Sequence, residues 1–154
     1  MIALATTALI AILCAIIVYD LRHLRIPNAL SILLLLLFAV LALWRADMGY
    51  AVQQVLLAVG VFAVCFAAFA ARAMGGGDAK ILPALSLFVP VSQIAEVLLL
   101  FAAVLFISIC GVVVLRRTMG GPDRAWAVLR QPRFPMGLPI GLTGLIAIGF
   151  GAGL

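Results

Sequence analysis

Two aspartates, Asp20 and Asp78, stand next to apolar runs in a chain with few charged residues. An ionisable group at or in a membrane is costly unless water or a partner stabilises it, so each acid indicates a functional site. Two carboxylates held close together in a low dielectric share a proton and titrate as a coupled pair. The ionised partner can take a proton from water while the protonated one polarises a carbonyl, which is the chemistry of metal-free amide hydrolysis.

Three consecutive glycines, Gly75, Gly76 and Gly77, come directly before Asp78, and Lys80 follows it. A helical substrate hides its carbonyls in its own hydrogen bonds, so a hydrolytic site must accept an unwound strand. Residues without Cβ allow another backbone to approach closely. We therefore predict that a substrate strand hydrogen-bonds along this glycine loop.

The composition indicates a membrane protein. The chain has 154 residues, of which 68% are hydrophobic and 10% charged, and its mean hydropathy is +1.37. A soluble domain of this length does not need so much apolar surface. The net charge of +5 comes from short clusters between apolar runs, which is typical of cytoplasmic loops rather than of a nucleic-acid-binding protein.

The apolar runs predict an all-α protein of six transmembrane helices that form one domain over residues 1–154, with no soluble domain. A single helix over Ile81–Leu115 would be about 50 Å long, against about 30 Å for a bilayer core, so we divide it near Pro90–Gln93. We expect the first span to be retained, because no basic segment and cleavage site of a signal peptide accompany it. The predicted spans are Ile2–Tyr19, Ala29–Trp44, Tyr50–Ala71, the two parts of Ile81–Leu115, and Met136–Leu154.

The distribution of basic residues orients these spans. The loops that begin at Asp20, Arg72 and Arg116 contain nine of the ten basic residues, and only Arg45 lies on the other side. The positive-inside rule then places both termini outside and the three basic loops in the cytoplasm. Asp20 ends the first span and Asp78 opens the fourth, so both acids are predicted at the cytoplasmic membrane surface, at similar depth.

Simpler roles for the two acids are also open. Asp78 could cap the fourth helix, and Asp20 could pair with Arg22 or Arg25. The glycine run could be only a flexible turn. Asn28 is predicted to cap the second span.

The other notable residues favour structural interpretations. His23 has no second histidine or cysteine in its loop, so we expect a solvated residue and no metal site. Gly137 and Gly141 have the spacing of a helix-packing pair. The three cysteines lie in apolar runs without a CxxC pair and are interpreted as small core residues, at Cys14, Cys65 and Cys110.

Three segments taken together resemble a known family. Asp20 with Ile26-Pro27-Asn28, the glycine-rich motif at 75–80, and Phe134-Pro135-Met136-Gly137 resemble the prepilin peptidases, which are GxGD intramembrane aspartyl proteases. The length of the chain resembles that of the compact peptidases of tight-adherence (Flp-type) pilus systems, and an archaeal preflagellin peptidase is a close variant of the same resemblance. The resemblance implies catalysis by Asp20 and Asp78. It also implies substrate-binding residues at Pro27, Asn28, Gly75, Gly76, Gly77, Lys80, Pro135 and Gly137.

The resemblance also implies a substrate and a location. The substrate would be a pilin-like precursor whose short leader is cut at the cytoplasmic face of the inner membrane. No cofactor is implied, and the cytoplasmic CxxC insertion of the methylating enzymes has no counterpart here, so methyltransferase activity is not expected. The expected partners are this precursor and the lipid bilayer, not nucleic acid; homo-oligomerisation is an open alternative.

Lys80 has three interpretations. It could anchor the helix at the lipid headgroups. It could favour the ionised form of Asp78, or it could pair with a glutamate that pilin precursors of the resembled family carry after the cleavage point. For the whole chain, the alternatives to a protease are a small proton-coupled transporter and a structural membrane subunit of a secretion or pilus complex.

Overall fold

The chain is all-helical in the part that the structure, a computed structural model, describes, namely residues 2–121, 125–131 and 133–149. No strand occurs in those residues, which confirms the predicted fold class. A single 3₁₀ turn, Val91–Gln93, separates the fourth and fifth helices. The helices are α1 Ile2–His23, α2 Asn28–Arg45, α3 Met48–Ala70, α4 Asp78–Ser86, α5 Ile94–Met119, α6 Ala127–Arg130 and α7 Gly137–Gly149.

Four of the described helices are long and apolar enough to cross a membrane: α1, α2, α3 and α5 with its preceding 3₁₀ turn. The division of the long apolar stretch near Pro90–Gln93 is confirmed, and its first part is short. At nine residues, α4 is about 13 Å long. The apolar helix α7 has 13 residues. The count of six spans, and the outside position of both termini, therefore remain predictions.

The end of α1 differs from the sequence prediction. The helix does not stop at Tyr19 but continues through Asp20 to His23. No helix-breaking residue occurs before Pro27, and Leu24 ends the helix with a left-handed backbone, at φ 50°. The Leu24 N–H still donates to the Asp20 carbonyl oxygen, at 2.8 Å. Asp20 thus stands on a rigid helix rather than in a loop.

The start of α2 also differs from the prediction. Pro27 occupies the N-cap position in extended conformation, and Asn28 is the first helical residue without a capping hydrogen bond. The fixed φ of proline suits this boundary. The Asn28 side chain is consequently available to another partner, described below.

The helix α4 packs at the centre of the bundle. It contacts α2, α3 and α7, and α1 contacts α2 and α7. Ile81 of α4 is completely buried, and Phe88 just after α4 meets Phe38 of α2 edge-on, with ring centroids 6.0 Å apart. The apolar core therefore joins α1, α2, α4 and α7, and it fixes α4 relative to the end of α1. Cys65 is buried as expected, but Cys14 and Cys110 are exposed and are not core residues.

The ends of α1, α3 and α5 lie at the same end of the bundle as the beginnings of α2, α4 and α7. For α1, α2, α4 and α7 this follows from the contacts of Gly137 with Asp20, Lys80 with Asn28 and Gly77 with Ile26. The end of α3 joins them through the contact of Gly76 with Phe69, and the end of α5 through Arg116 and the α6 segment. We call this end the site end. It holds all described basic residues except Arg45, whereas Asp47 and Glu96 lie at the opposite end.

Candidate active site

Asp20 is a buried carboxylate on the core-facing side of α1, only 5% exposed. The backbone N–H of Gly137, at the first residue of α7, donates to its Oδ2 at 2.6 Å. A Cβ at Gly137 would lie 2.8 Å from the Asp20 Cβ and 2.9 Å from its Oδ2, so only glycine permits this approach. The short bond between an N–H and a carboxylate stabilises the ionised form of the acid. Gly137 thus has a role at the acid beyond the helix packing predicted for it.

Asp78 is the first residue of α4 and lies outside the four membrane-spanning helices. The cap position is taken by Gly77, so Asp78 does not cap the helix. Burial first, and the charge of Asp20 second, raise the pKa of Asp78 to about 6, although a backbone hydrogen bond from Gly75 opposes the shift. Burial contributes more than the charge of Asp20, because it is costly to remove an ionised carboxylate from water.

Asp78 lies within electrostatic range of Asp20, although the two acids are far apart in sequence. The charge of Asp20 contributes to the raised pKa of Asp78. The arrangement follows from the packing of α7 against α1 and α4. Within the described residues, neither Arg22 nor Arg25 forms an ion pair with Asp20. The alternative in which Asp20 pairs with one of these arginines is therefore not what the structure shows.

The glycine loop is held by close contacts within the protein. A Cβ at Gly75 would lie 2.7 Å from Asp78 Oδ2. At Gly76 it would meet the Phe69 ring at 3.2 Å, and at Gly77 it would meet Ile26 Cβ at the same distance. The absence of Cβ in this loop thus has an internal reason, because it lets the loop pack against α3 and against the turn before α2. The role of the glycines toward a substrate stays a prediction.

Lys80 and Asn28 form a second contact between these segments. Lys80 Nζ donates to Asn28 Oδ1 at 3.2 Å, and both residues are exposed. Lys80 lies on the side of α4 opposite to Asp78, since two residues correspond to about 200° of helical rotation. The bond links α4 to the first turn of α2 at the rim of the site end.

The segment that carries Pro135 and Gly137 is fixed by Arg116, which the sequence did not single out. Its Nε donates to the Val128 carbonyl oxygen at 2.8 Å, and its guanidinium also donates to the Arg133 carbonyl oxygen. Pro135 is buried at the entry to α7. The predicted polar loop after Leu115 is in fact helical up to Met119, which places Arg116 on α5. The sequence does not distinguish Arg116 from Arg117, because only the fold brings the carbonyl groups that Arg116 contacts close to its side chain.

The remaining predictions concern His23 and metals. His23 is exposed and its ring lies against Tyr19, with centroids 5.2 Å apart. In the described part of the chain, no group of three histidine, cysteine, aspartate or glutamate side chains could hold a metal ion. Arg124, one of the predicted cytoplasmic residues, lies outside the described residues.

The fold and the site together define a multi-pass membrane protein with two interacting carboxylates at the ends of its helices. Comparison with protein families identifies the family: the model of the type IV leader peptidase family matches residues 7–123. The chain belongs to that family, which confirms the resemblance drawn from its motifs. The matched region includes both Asp20 and Asp78, whereas Pro135 and Gly137 lie beyond it. Comparisons with curated proteins and with solved structures give no match.

Proposed function

We propose that this protein is an intramembrane aspartyl endopeptidase that removes the leader peptide of prepilin-like precursors. Membership of the leader peptidase family supports the general activity. The observation that carries the specific proposal is the interaction between Asp20 and Asp78, brought together from two helices at one end of the bundle. Cleavage would occur at the cytoplasmic face of the inner membrane, because the basic residues cluster at this same end.

The surroundings of the two acids suggest separate roles. Asp20 accepts the Gly137 N–H and is the better placed to remain ionised, so it takes a proton from the attacking water. Asp78, with its raised pKa, is the protonated partner and donates a hydrogen bond to the scissile carbonyl oxygen. The water oxygen adds to the carbonyl carbon. Asp20 then passes the proton it took from water to the amide nitrogen, the C–N bond breaks, and the products are an amine and a carboxylic acid.

The rim of the site end is the proposed seat of the extended substrate strand. Exposed Gly75 and the half-buried Gly76 and Gly77 lie directly before Asp78, where a strand could hydrogen-bond to the loop. Pro27 and Asn28 border the loop on one side through the contact of Ile26 with Gly77. Pro135 and Gly137 border Asp20, and Lys80 lies at the outer edge.

The test is co-expression of the protein with a tagged small pilin precursor, scored by the mass of the processed product. Asp20→Asn and Asp78→Asn should each abolish processing while the protein still accumulates in membranes, because the amide keeps the shape but cannot exchange the proton. Asp47→Asn is the matched control: Asp47 caps α3 at the opposite end through the Tyr50 N–H, and asparagine caps equally well. Processing at the wild-type rate by either of the first two variants would disprove the paired-acid mechanism.

A further inference from the structure

The helix α4 separates two grooves. Asp78 and Lys80 lie on opposite faces of this helix, and each face lines a different groove. Residues at positions four and seven after Asp78 lie on its own face of the helix. These are Leu82 and Leu85, and both line a groove of about 640 Å³. Lys80 shares the opposite face with Ala84, and these two line a second groove of about 620 Å³.

The larger groove lies between α3 and α5, and we call it the α3–α5 groove. Its floor is formed by α1, α4 and α7, which are the three helices that hold the acid pair. On α1, Leu9 and Leu13 line it, and they belong to the same buried stripe as Asp20. On α7, Ile140 lines it one turn after Gly137. Each of the three helices therefore turns the same face to the acid pair and to the groove, so the groove runs along the side of these helices that carries the acids.

The second groove lies between α2 and α3, with α4 as its floor, and its site end is formed by Asn28 and Lys80. It meets the opposite face of α4 and is therefore separated from Asp78 by the width of that helix. An apolar segment lying in this groove would not point its end at the acids.

One polar group in the α3–α5 groove lacks a partner. Thr143 of α7 is only 5% exposed, and its Oγ1 has no hydrogen-bond partner among the described residues. A buried hydroxyl without a partner is unfavourable. The hydrocarbon tail of a lipid has no hydrogen-bonding group for this hydroxyl. A peptide has polar side chains, and its backbone carbonyl oxygens can each accept a second hydrogen bond. This observation favours a peptide as the occupant.

We infer that the α3–α5 groove binds the apolar segment that follows the cleaved bond of the substrate, which enters sideways from the bilayer. The inference rests on the proposed function and adds where the membrane part of the substrate lies. The segment packs against the floor of the groove, and its unwound start reaches Asp20 and Asp78. Thr143 donates to it about two helical turns below the acids.

The first experiment uses a photocrosslinking amino acid at Val61 or at Val59 of α3. These positions are at nearly the same depth, but Val61 lines the α3–α5 groove and Val59 the other. Each is introduced into the inactive Asp20→Asn chain together with the tagged precursor. We expect an adduct with the precursor from Val61 and none from Val59. An adduct from Val59 alone, or from Val61 only with lipid or a second copy of this chain, would overturn the inference.

The second experiment fills the groove in the active enzyme. Gly60 lines the α3–α5 groove, and a Cβ at this position meets no atom within 4 Å, so the side chain of Gly60→Phe starts in open space and extends into the groove. It should raise the KM for the precursor about 5- to 30-fold, which corresponds to about 1 to 2 kcal/mol of lost binding at 1.4 kcal/mol per factor of ten. Val59→Phe is the matched control and should leave KM unchanged, because that side chain points to the other groove.

The outcomes separate this inference from the proposed function. If the wild type processes no precursor, or if Asp20→Asn still does, the proposed peptidase activity is wrong. If processing depends on Asp20 but Gly60→Phe keeps the wild-type KM, the activity stands and the position of the substrate in the α3–α5 groove is wrong.

Discussion

Replacing Gly137 by alanine perturbs Asp20 without changing either acid. The added methyl carbon would lie 2.8 Å from the Asp20 Cβ, 2.9 Å from Oδ2 and 3.0 Å from Cγ. Real Cβ atoms do not approach so closely, so α7 and the carboxylate must move apart. The 2.6 Å hydrogen bond from the Gly137 N–H then lengthens or breaks.

The size of the effect follows from that hydrogen bond. A hydrogen bond to a charged group contributes about 1.5 to 3 kcal/mol, and a buried acid cannot replace it readily with water. One factor of ten in rate corresponds to about 1.4 kcal/mol. We therefore expect Gly137→Ala to lower kcat about 10- to 150-fold, with little change in KM, because the hydrogen bond orients the acid rather than binding the substrate.

Gly141→Ala is the matched control, on the same helix one turn later. Its methyl carbon would lie 2.4 Å from Ile17 Cγ1, a tighter clash between α7 and α1 that does not involve Asp20. The measurements are detergent-solubilised kinetics with the tagged precursor and the melting temperature of each variant. We expect Gly141→Ala to lower the melting temperature at least as much as Gly137→Ala but to keep more of its kcat. Equal losses of kcat in the two variants would show that helix packing, not the hydrogen bond to Asp20, is what matters.

Three other predictions concern pH, Lys80 and topology. Because the pKa of Asp78 is raised to about 6, its protonated form is lost as the pH rises through that value. The processing rate should therefore decrease above pH 7, approaching a tenfold decrease per pH unit. A rate that is constant from pH 6 to 8 would contradict this role. Lys80 faces away from Asp78 and donates a hydrogen bond to Asn28. The losses of processing rate caused by Lys80→Gln and by a Glu→Gln change early in the mature substrate should therefore be additive. A strongly non-additive double-mutant cycle would instead support pairing of Lys80 with that glutamate. In a chain without its native cysteines, a cysteine at Asp47 should react with an impermeant thiol reagent outside whole cells and one at Arg22 should not, whereas the reverse pattern would invert the topology.

The sequence alone determined the class of protein and its family. Apolar runs between basic clusters predict membrane helices, because a backbone in a bilayer has no water to bond and a helix satisfies its hydrogen bonds within the segment. Local composition is therefore enough to identify such a segment. The break near Pro90–Gln93 is predictable from the length of the apolar stretch, which exceeds the thickness of a bilayer core. The motifs around Asp20 and Asp78 identified the family, since their spacing is itself a property of the sequence.

Only the tertiary structure decided what surrounds each acid. The hydrogen bond from Gly137 to Asp20 joins residues at opposite ends of the chain, and no local pattern specifies which backbone N–H will face a buried carboxylate. The opposite placement of Asp78 and Lys80 toward two grooves likewise depends on which helices pack beside α4. Arg116 is the clearest case, because its partners are backbone carbonyls that carry no side-chain signature. Composition sets which segments enter the membrane, but long-range packing sets which groups meet there.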